Sequence, residues 1–328
     1  MPPVDQQPRI RVALDDLVRL EFDARGFSLL PRQPVSSLLS GRHASRLRGR
    51  GLTFEELREY RPGDDIRSMD WKATARLRKP QVRIYSEERE RPVLLVVDQR
   101  SNMHFGSARA TKAAAAAELA ALGAWRALGS GDRVGAVIFG DEEVVEIRPH
   151  RSRGNVLRIC NELVRFNGRL SESPPSPIAK PTVAARPATT AGEELSGLPR
   201  STFNGALLRA ANVAKHDHLV VLITDYVGDD ESTHKLVTRM AAHNDLLAVL
   251  VYDPLGIRFT GTRQMVATDG RQRVSVPEGE KFGDALETAF RARCDEIRER
   301  LRGIRIPILP ICTHEAVPQQ VLSALGRR

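Results

Sequence analysis

Short apolar runs and amphipathic stretches alternate from residue 93 to the C-terminus. Val93–Val97 is an unbroken apolar run of strand length that stops at Asp98. His218–Thr224 repeats the pattern and stops at Asp225, Leu246–Tyr252 repeats it again, and Ile304–Ile311 predicts a last strand. Runs that are apolar at nearly every position fit strands buried on both faces of a parallel sheet. Between them, Ala108–Leu128 is Ala-rich, with Leu and Trp spaced for one helix face. Val156–Phe166, Leu207–Ala214, Thr233–His243, Phe282–Leu301 and Pro318–Leu325 predict further helices, and Ser201 to Asn204 supply cap candidates for the second of these. Arg133–Phe139 and Val144–Ile147 predict a strand pair joined through Gly140 and Asp141. Strands that alternate with helices imply crossover units, hence a doubly wound α/β fold with a mostly parallel sheet. In such a sheet ligands bind outside the carboxyl ends of the strands, which makes Asp98 and Asp225 candidate functional residues.

Residues 1–91 do not follow that pattern and predict an N-terminal accessory segment ahead of a domain over 92–328. Val12–Phe22 is a short apolar-periodic piece, helix or strand, packed on the main body. From 42 to 83 there are twelve basic and six acidic residues of alternating sign, which predicts a salt-bridged scaffold, in part a small β-rich subdomain. Gly168 to Arg200 carries six prolines among Ser, Thr, Ala and Glu and predicts a flexible insertion. The chain of 328 residues is 41% hydrophobic but only 5% aromatic, so its core is aliphatic. Its net charge of +9 and pI of about 9.9 permit contact with nucleic acid, anionic membrane or acidic proteins. Three cysteines without CxxC spacing argue for reduced thiols rather than a metal or redox site, and the pair Cys312/His314 lacks an orienting partner. There is no apolar leader, and the longest apolar runs are strand length, so a cytoplasmic protein without a membrane span is expected.

The densest signature lies between Tyr60 and Tyr85. Arg58, Tyr60, Pro62, Gly63, Asp64, Asp65, Arg67, Asp70, Trp71, Ala75 and Arg76 stand at fixed offsets, followed by Glu87, Asp98 and Met103. From about Gly41 to at least Asp225 the chain resembles the domain of unknown function 58 family. Members of that family are often encoded beside MoxR-type AAA+ ATPases and carry a von Willebrand factor A-like domain. The resemblance implies such a domain here, and with it a Mg²⁺ site of the kind called MIDAS. That site takes an Asp-x-Ser-x-Ser strand end, a Thr from a second loop and an Asp after a later strand. The matching positions are Asp98, Asn102, Ser201 or Thr202, and Asp225. Arg100 stands where the first Ser would be. Its guanidinium is permanently cationic and pairs with carboxylates, so the expectation is a degenerate site with no cofactor or only weak Mg²⁺.

The Pro62-Gly63-Asp64-Asp65 turn has two readings. Adjacent carboxylates can work as an acid/base pair. Alternatively, one caps the following turn while the other pairs with an arginine such as Arg67 or Arg76, with Trp71 in a core or between domains. No Walker A loop, HExxH or GxSxG motif is present. The expectation is therefore a non-enzymatic protein-interaction module, an adaptor or co-chaperone acting with a MoxR-type AAA+ ATPase on an unnamed client. The alternatives are a nucleic-acid binder using the Arg42–Arg50 cluster and a hydrolase using Asp64, Asp65 or Asp70. Low aromatic content and the lack of a recognised motif set nucleic acid behind protein as the partner.

Overall fold

The computed structural model describes residues 9–29, 52–87, 91–107, 109–172, 202–256, 265–268, 273–276 and 280–326. The chain divides into two units, one of Met1–Leu39 with Arg91–Arg328 and one of Ser40–Glu90. The described N-terminal residues, 9–29, group with the larger unit, and the second cut falls between Glu90 and Arg91.

The larger unit is built on a six-stranded sheet. In chain order its strands are β3 (Val93–Asp98), β4 (Val134–Phe139), β5 (Val144–His150), β6 (Leu219–Thr224), β7 (Asp245–Tyr252) and β10 (Ile308–Cys312). Their spatial order is β10-β7-β6-β3-β4-β5. All neighbours are parallel except β5, which pairs antiparallel with β4 at one edge. β3, β4 and β6 are buried at every position, which is why they read as continuous apolar runs. Successive side chains on a strand point to opposite faces. Val93, Leu95 and Val97 therefore face one layer, and Leu94 and Val96 the other.

The first layer holds α1 (Leu14–Asp23), α3 (Lys112–Gly129), α4 (Arg153–Glu172) and α8 (Val317–Leu325). The second holds α5 (Thr202–Val213), α6 (Glu231–Ala241) and α7 (Glu280–Gly303). α3 is central: Ala113 to Ala117 are fully buried, since the sheet covers one side of the helix and α1 and α4 cover others. Small side chains allow that close approach. The Val12–Phe22 piece is thus a helix, seated by Leu17, which is fully buried, and by a Trp125 Nε1–H bond to the Leu17 carbonyl at 2.9 Å. A hairpin of β8 (Met265–Thr268) and β9 (Arg273–Val276) went unpredicted. Of the expected 168–200 insertion, the first residues complete α4 as far as Glu172, and 173–200 lie outside the described residues.

The smaller unit pairs β1 (Leu52–Glu59) antiparallel with β2 (Gln81–Glu87). Their connector holds a short 3-10 turn, Ile66–Ser68, and α2 (Trp71–Leu77). The segment is therefore a helix-bearing hairpin. Gly63, at φ +105°, makes the turn after Pro62 that a side chain would strain.

Candidate functional site

β3 and β6 lie side by side at the centre of the sheet, and their carboxyl ends bring Asp98 and Thr224-Asp225 together. Asp98 is fully buried. Its carboxylate accepts from Arg100 Nε at 3.0 Å, Arg100 Nη2 at 2.7 Å, the Arg100 backbone N–H at 3.0 Å and the Thr224 hydroxyl at 2.7 Å. This is a bidentate guanidinium–carboxylate pair with its remaining acceptor sites filled. Arg100 Nη2 also donates to the Val227 carbonyl at 2.9 Å. The guanidinium lies 5.5 Å from the ring centre of Phe139 and 5.1 Å from that of Phe203, two rings stacked on each other. A planar, weakly hydrated cation suits that apolar floor.

Asp225 is occupied in the same way. It accepts from Lys112 Nζ at 2.5 Å and from the Asn102 amide nitrogen at 2.8 Å. Two carboxylates therefore face two cations, all four side chains at most 13% exposed. Burial pushes the Asp98 carboxyl up from its ordinary value and Asp225 adds to that, while Arg100 and Thr224 pull it back. Burial works against the Arg100 charge, but Asp98, Asp225 and Asp141 hold its pKa above the ordinary arginine value.

Of the residues expected to form a metal site, Asp98, Asn102 and Asp225 come together. Ser201 lies outside the described residues, and the Thr202 hydroxyl instead donates to the Asp141 carbonyl at 3.1 Å. A Mg²⁺ ion needs free oxygens in octahedral array. These residues do not fit it: ammonium and guanidinium groups take both carboxylates, and Asn102 turns its nitrogen inward. Among the described residues there is no group of three His, Cys, Asp or Glu arranged to hold a metal. Sequence reasoning found Arg100 and missed Lys112. The signal was a lone lysine opening the Ala113–Ala117 run, where a helix stop or start would not require one.

The signature residues use their carboxylates differently. Asp64 accepts from the Arg61 backbone N–H at 2.7 Å and from Arg58 at 2.9 Å. Asp65 accepts from the Arg67 backbone N–H at 3.0 Å and so caps the 3-10 turn. Asp70 caps α2, taking Lys72 N–H at 3.0 Å and Ala73 N–H at 2.9 Å, and its other oxygen takes Arg83 Nε at 2.8 Å. The arginine partners are therefore Arg58 and Arg83, not Arg67 or Arg76. The Arg61 N–H and then Arg58 hold Asp64 below its ordinary value, and the Ala73 N–H and then Arg83 do the same for Asp70. Such carboxyls are poor proton donors near neutral pH, which works against a general acid here. Tyr60 donates its backbone N–H to the Pro80 carbonyl at 2.9 Å and helps close the connector. Trp71 is 66% exposed, which corrects its expected burial; α2 buries Ala73 instead.

No hydrogen bond joins Cys312 to the His314 ring; the Cys312 backbone is bridged to the Gln320 amide at 2.8 Å, and burial pushes its thiol up. No described helix is long and apolar enough to cross a membrane.

Comparison with known proteins agrees with the signature. Uncharacterized proteins of Mycobacterium bovis (strain ATCC BAA-935 / AF2122/97) and of Mycobacterium tuberculosis strains CDC 1551 / Oshkosh and ATCC 25618 / H37Rv are each 26% identical to this chain. The similarity runs over 306 residues, 93% of this chain and 88% of theirs. The family model described as protein of unknown function DUF58 matches residues 56–293, a span that takes in both the aspartate-rich connector and the Asp98/Asp225 strand ends. The chain belongs to the DUF58 family.

Proposed function

We propose that the chain is a non-enzymatic protein-interaction module, built on a von Willebrand factor A-like domain, that works as an adaptor with a MoxR-type AAA+ ATPase. The observation that carries this reading is the Asp98–Arg100 and Asp225–Lys112 pairing. The carboxyl edge of the central strands is where an enzyme of this architecture would keep its reactive groups. In this chain those groups are neutralised by its own cations. The order β5-β4-β3-β6-β7-β10, with only the edge strand β5 antiparallel, is compatible with the von Willebrand factor A-like part of the reading. The ATPase partner rests on the family resemblance.

The test is sedimentation of the purified full chain with a MoxR-type ATPase from the same organism, in ATP and in ADP. A complex in at least one nucleotide state, together with a changed ATPase rate, is the expected result. Independent sedimentation in both states would overturn the partner. Turnover of a substrate that is lost in Asp65→Asn or Asp70→Asn while the fold persists would instead favour the hydrolase.

A further inference from the structure

The aspartates of the connector between β1 and β2 cap its own turns and pair with Arg58 and Arg83 of the flanking strands, and Lys79 pairs with Glu59, which leaves several other connector cations without an ion pair among the described residues. Arg67, Lys72, Arg76 and Arg78 are all exposed, and none makes an ion pair among the described residues. The same connector exposes Trp71 at 66%, Ile66 at 61% and Leu77 at 51%. On α2, Trp71 and Ala75 form one i,i+4 row, and Lys72 and Arg76 form the row beside it. An apolar row and a basic row thus run together along one exposed helix.

We propose that this surface is a docking site for an acidic segment of a partner protein, with an apolar anchor residue seated against Trp71 and carboxylates on Arg67, Lys72 and Arg76. Three observations favour that occupant. Charge complementarity favours an anionic partner, because these four cations make no ion pair among the described residues. Exposed Trp beside Arg is the composition of interface hot spots rather than of ordinary surface. Ile66 and Leu77 are aliphatic and offer nothing for a base to stack on, whereas single-stranded nucleic acid is held by successive aromatic platforms. The inference rests on the interaction-module reading above and names the surface it would use.

The protein carries its own reporter. Trp71 is exposed, and Trp125, the other tryptophan, is 3% exposed. Quenching of the full chain by acrylamide therefore reads mainly Trp71. The probe is a short synthetic peptide of glutamates around a central leucine pair. Its controls are the same peptide with glutamine for glutamate and an oligo-dT of equal charge. The glutamate peptide should shield Trp71 from the quencher and blue-shift its emission. Anisotropy of a labelled peptide should show affinity falling about tenfold or more in Trp71→Ala and in Arg67→Ser/Lys72→Ser/Arg76→Ser, as for hot-spot residues. Both variants change exposed side chains, and unchanged thermal unfolding checks their folding. With the peptide, any of these results would overturn the proposal: no binding of the glutamate peptide, equal binding by the variants, or oligo-dT binding more tightly and losing that affinity in Trp71→Ala. An ATPase complex that survives in Trp71→Ala would sink this inference and leave the adaptor reading standing.

Discussion

Two regions of this chain use the same residue types, aspartate and arginine, to opposite ends. At the strand ends of the large unit, Asp98 and Asp225 are matched one to one with Arg100 and Lys112. In the β1–β2 connector, Asp65 is satisfied by a backbone N–H, and Asp64 and Asp70 each combine backbone N–H groups with one arginine. Burial makes the difference. A carboxylate with no access to water has to meet a cation and fill its other acceptor sites, or stay protonated. A carboxylate that keeps part of its surface in water, as the Asp64 side chain does at 21% and that of Asp70 at 12%, is free to cap a turn, and water shares in its solvation. The consequence is that the buried carboxylates end up paired with cations, while the connector presents beside an exposed tryptophan cations that make no ion pair among the described residues.

The sharpest way to break this comparison is to remove one cation from the buried region. Arg100→Ser strands Asp98 without its partner, and losing one member of a buried pair costs about 3–5 kcal/mol. That is a large share of a total stability of roughly 5–15 kcal/mol. Thermal unfolding should show a fall of many degrees at neutral pH and a smaller one in acid, where the stranded carboxyl takes a proton. A melting temperature close to wild type at neutral pH would mean that Asp98 does not depend on Arg100.

Metal affinity sharpens the same point. Arg100→Ser alone leaves Lys112 on Asp225, so Mg²⁺ should bind no better than to wild type. Arg100→Ser/Lys112→Ala frees both carboxylates and should create measurable Mg²⁺ and Mn²⁺ binding by titration calorimetry. Clear Mg²⁺ binding by the wild-type chain would refute the closed site.

Effects in the exposed region should be smaller and of two kinds. Asp70→Asn weakens the α2 cap and breaks the Arg83 pair, so the melting temperature should drop, by less than for Arg100→Ser. Trp71→Ala removes an exposed ring and should leave melting almost unchanged. A Trp71→Ala loss as large as that of Arg100→Ser would show that the ring is a packing residue after all.

What the sequence made legible follows the same division. β3, β6 and β7 were readable because a strand buried on both faces has no room for polar residues, and Asp98 stood out as the residue that ends such a run. Arg100 was readable as an intruder two positions on. Lys112 was not, because its partner Asp225 is 113 residues away and only the β3–β6 pairing brings them together. Of the two places expected for Trp71, in a core or between domains, the core one fails because α2 turns Ala73 inward and leaves the ring 66% exposed. The amphipathic α1 was ambiguous as a short piece, and its place against Trp125 depends on tertiary packing.

The smallest effect is also the one that sets the two regions against each other most directly. Asp64 and Asp70 are held below the ordinary carboxylate value of 3.8. A depressed folded-state pKa contributes stability that is present above 3.8 and is lost as pH falls through the folded value. Asp98 is raised by burial, so its contribution has the opposite sign: it is fully present below 3.8 and is lost as pH rises through its folded value. Acidifying the protein should therefore loosen the connector while relieving the strand-end cluster. Carboxyl-carbon NMR on aspartate-labelled protein separates the two, with Asp64 and Asp70 titrating below 3.8 and Asp98 above it. Amide exchange should follow, with α2 losing protection in acid before β3 and β6 do. An Asp98 carboxyl that titrates below 3.8 would mean that the Arg100 pair outweighs desolvation, and the contrast between the regions would then lie in the partners of their carboxylates alone.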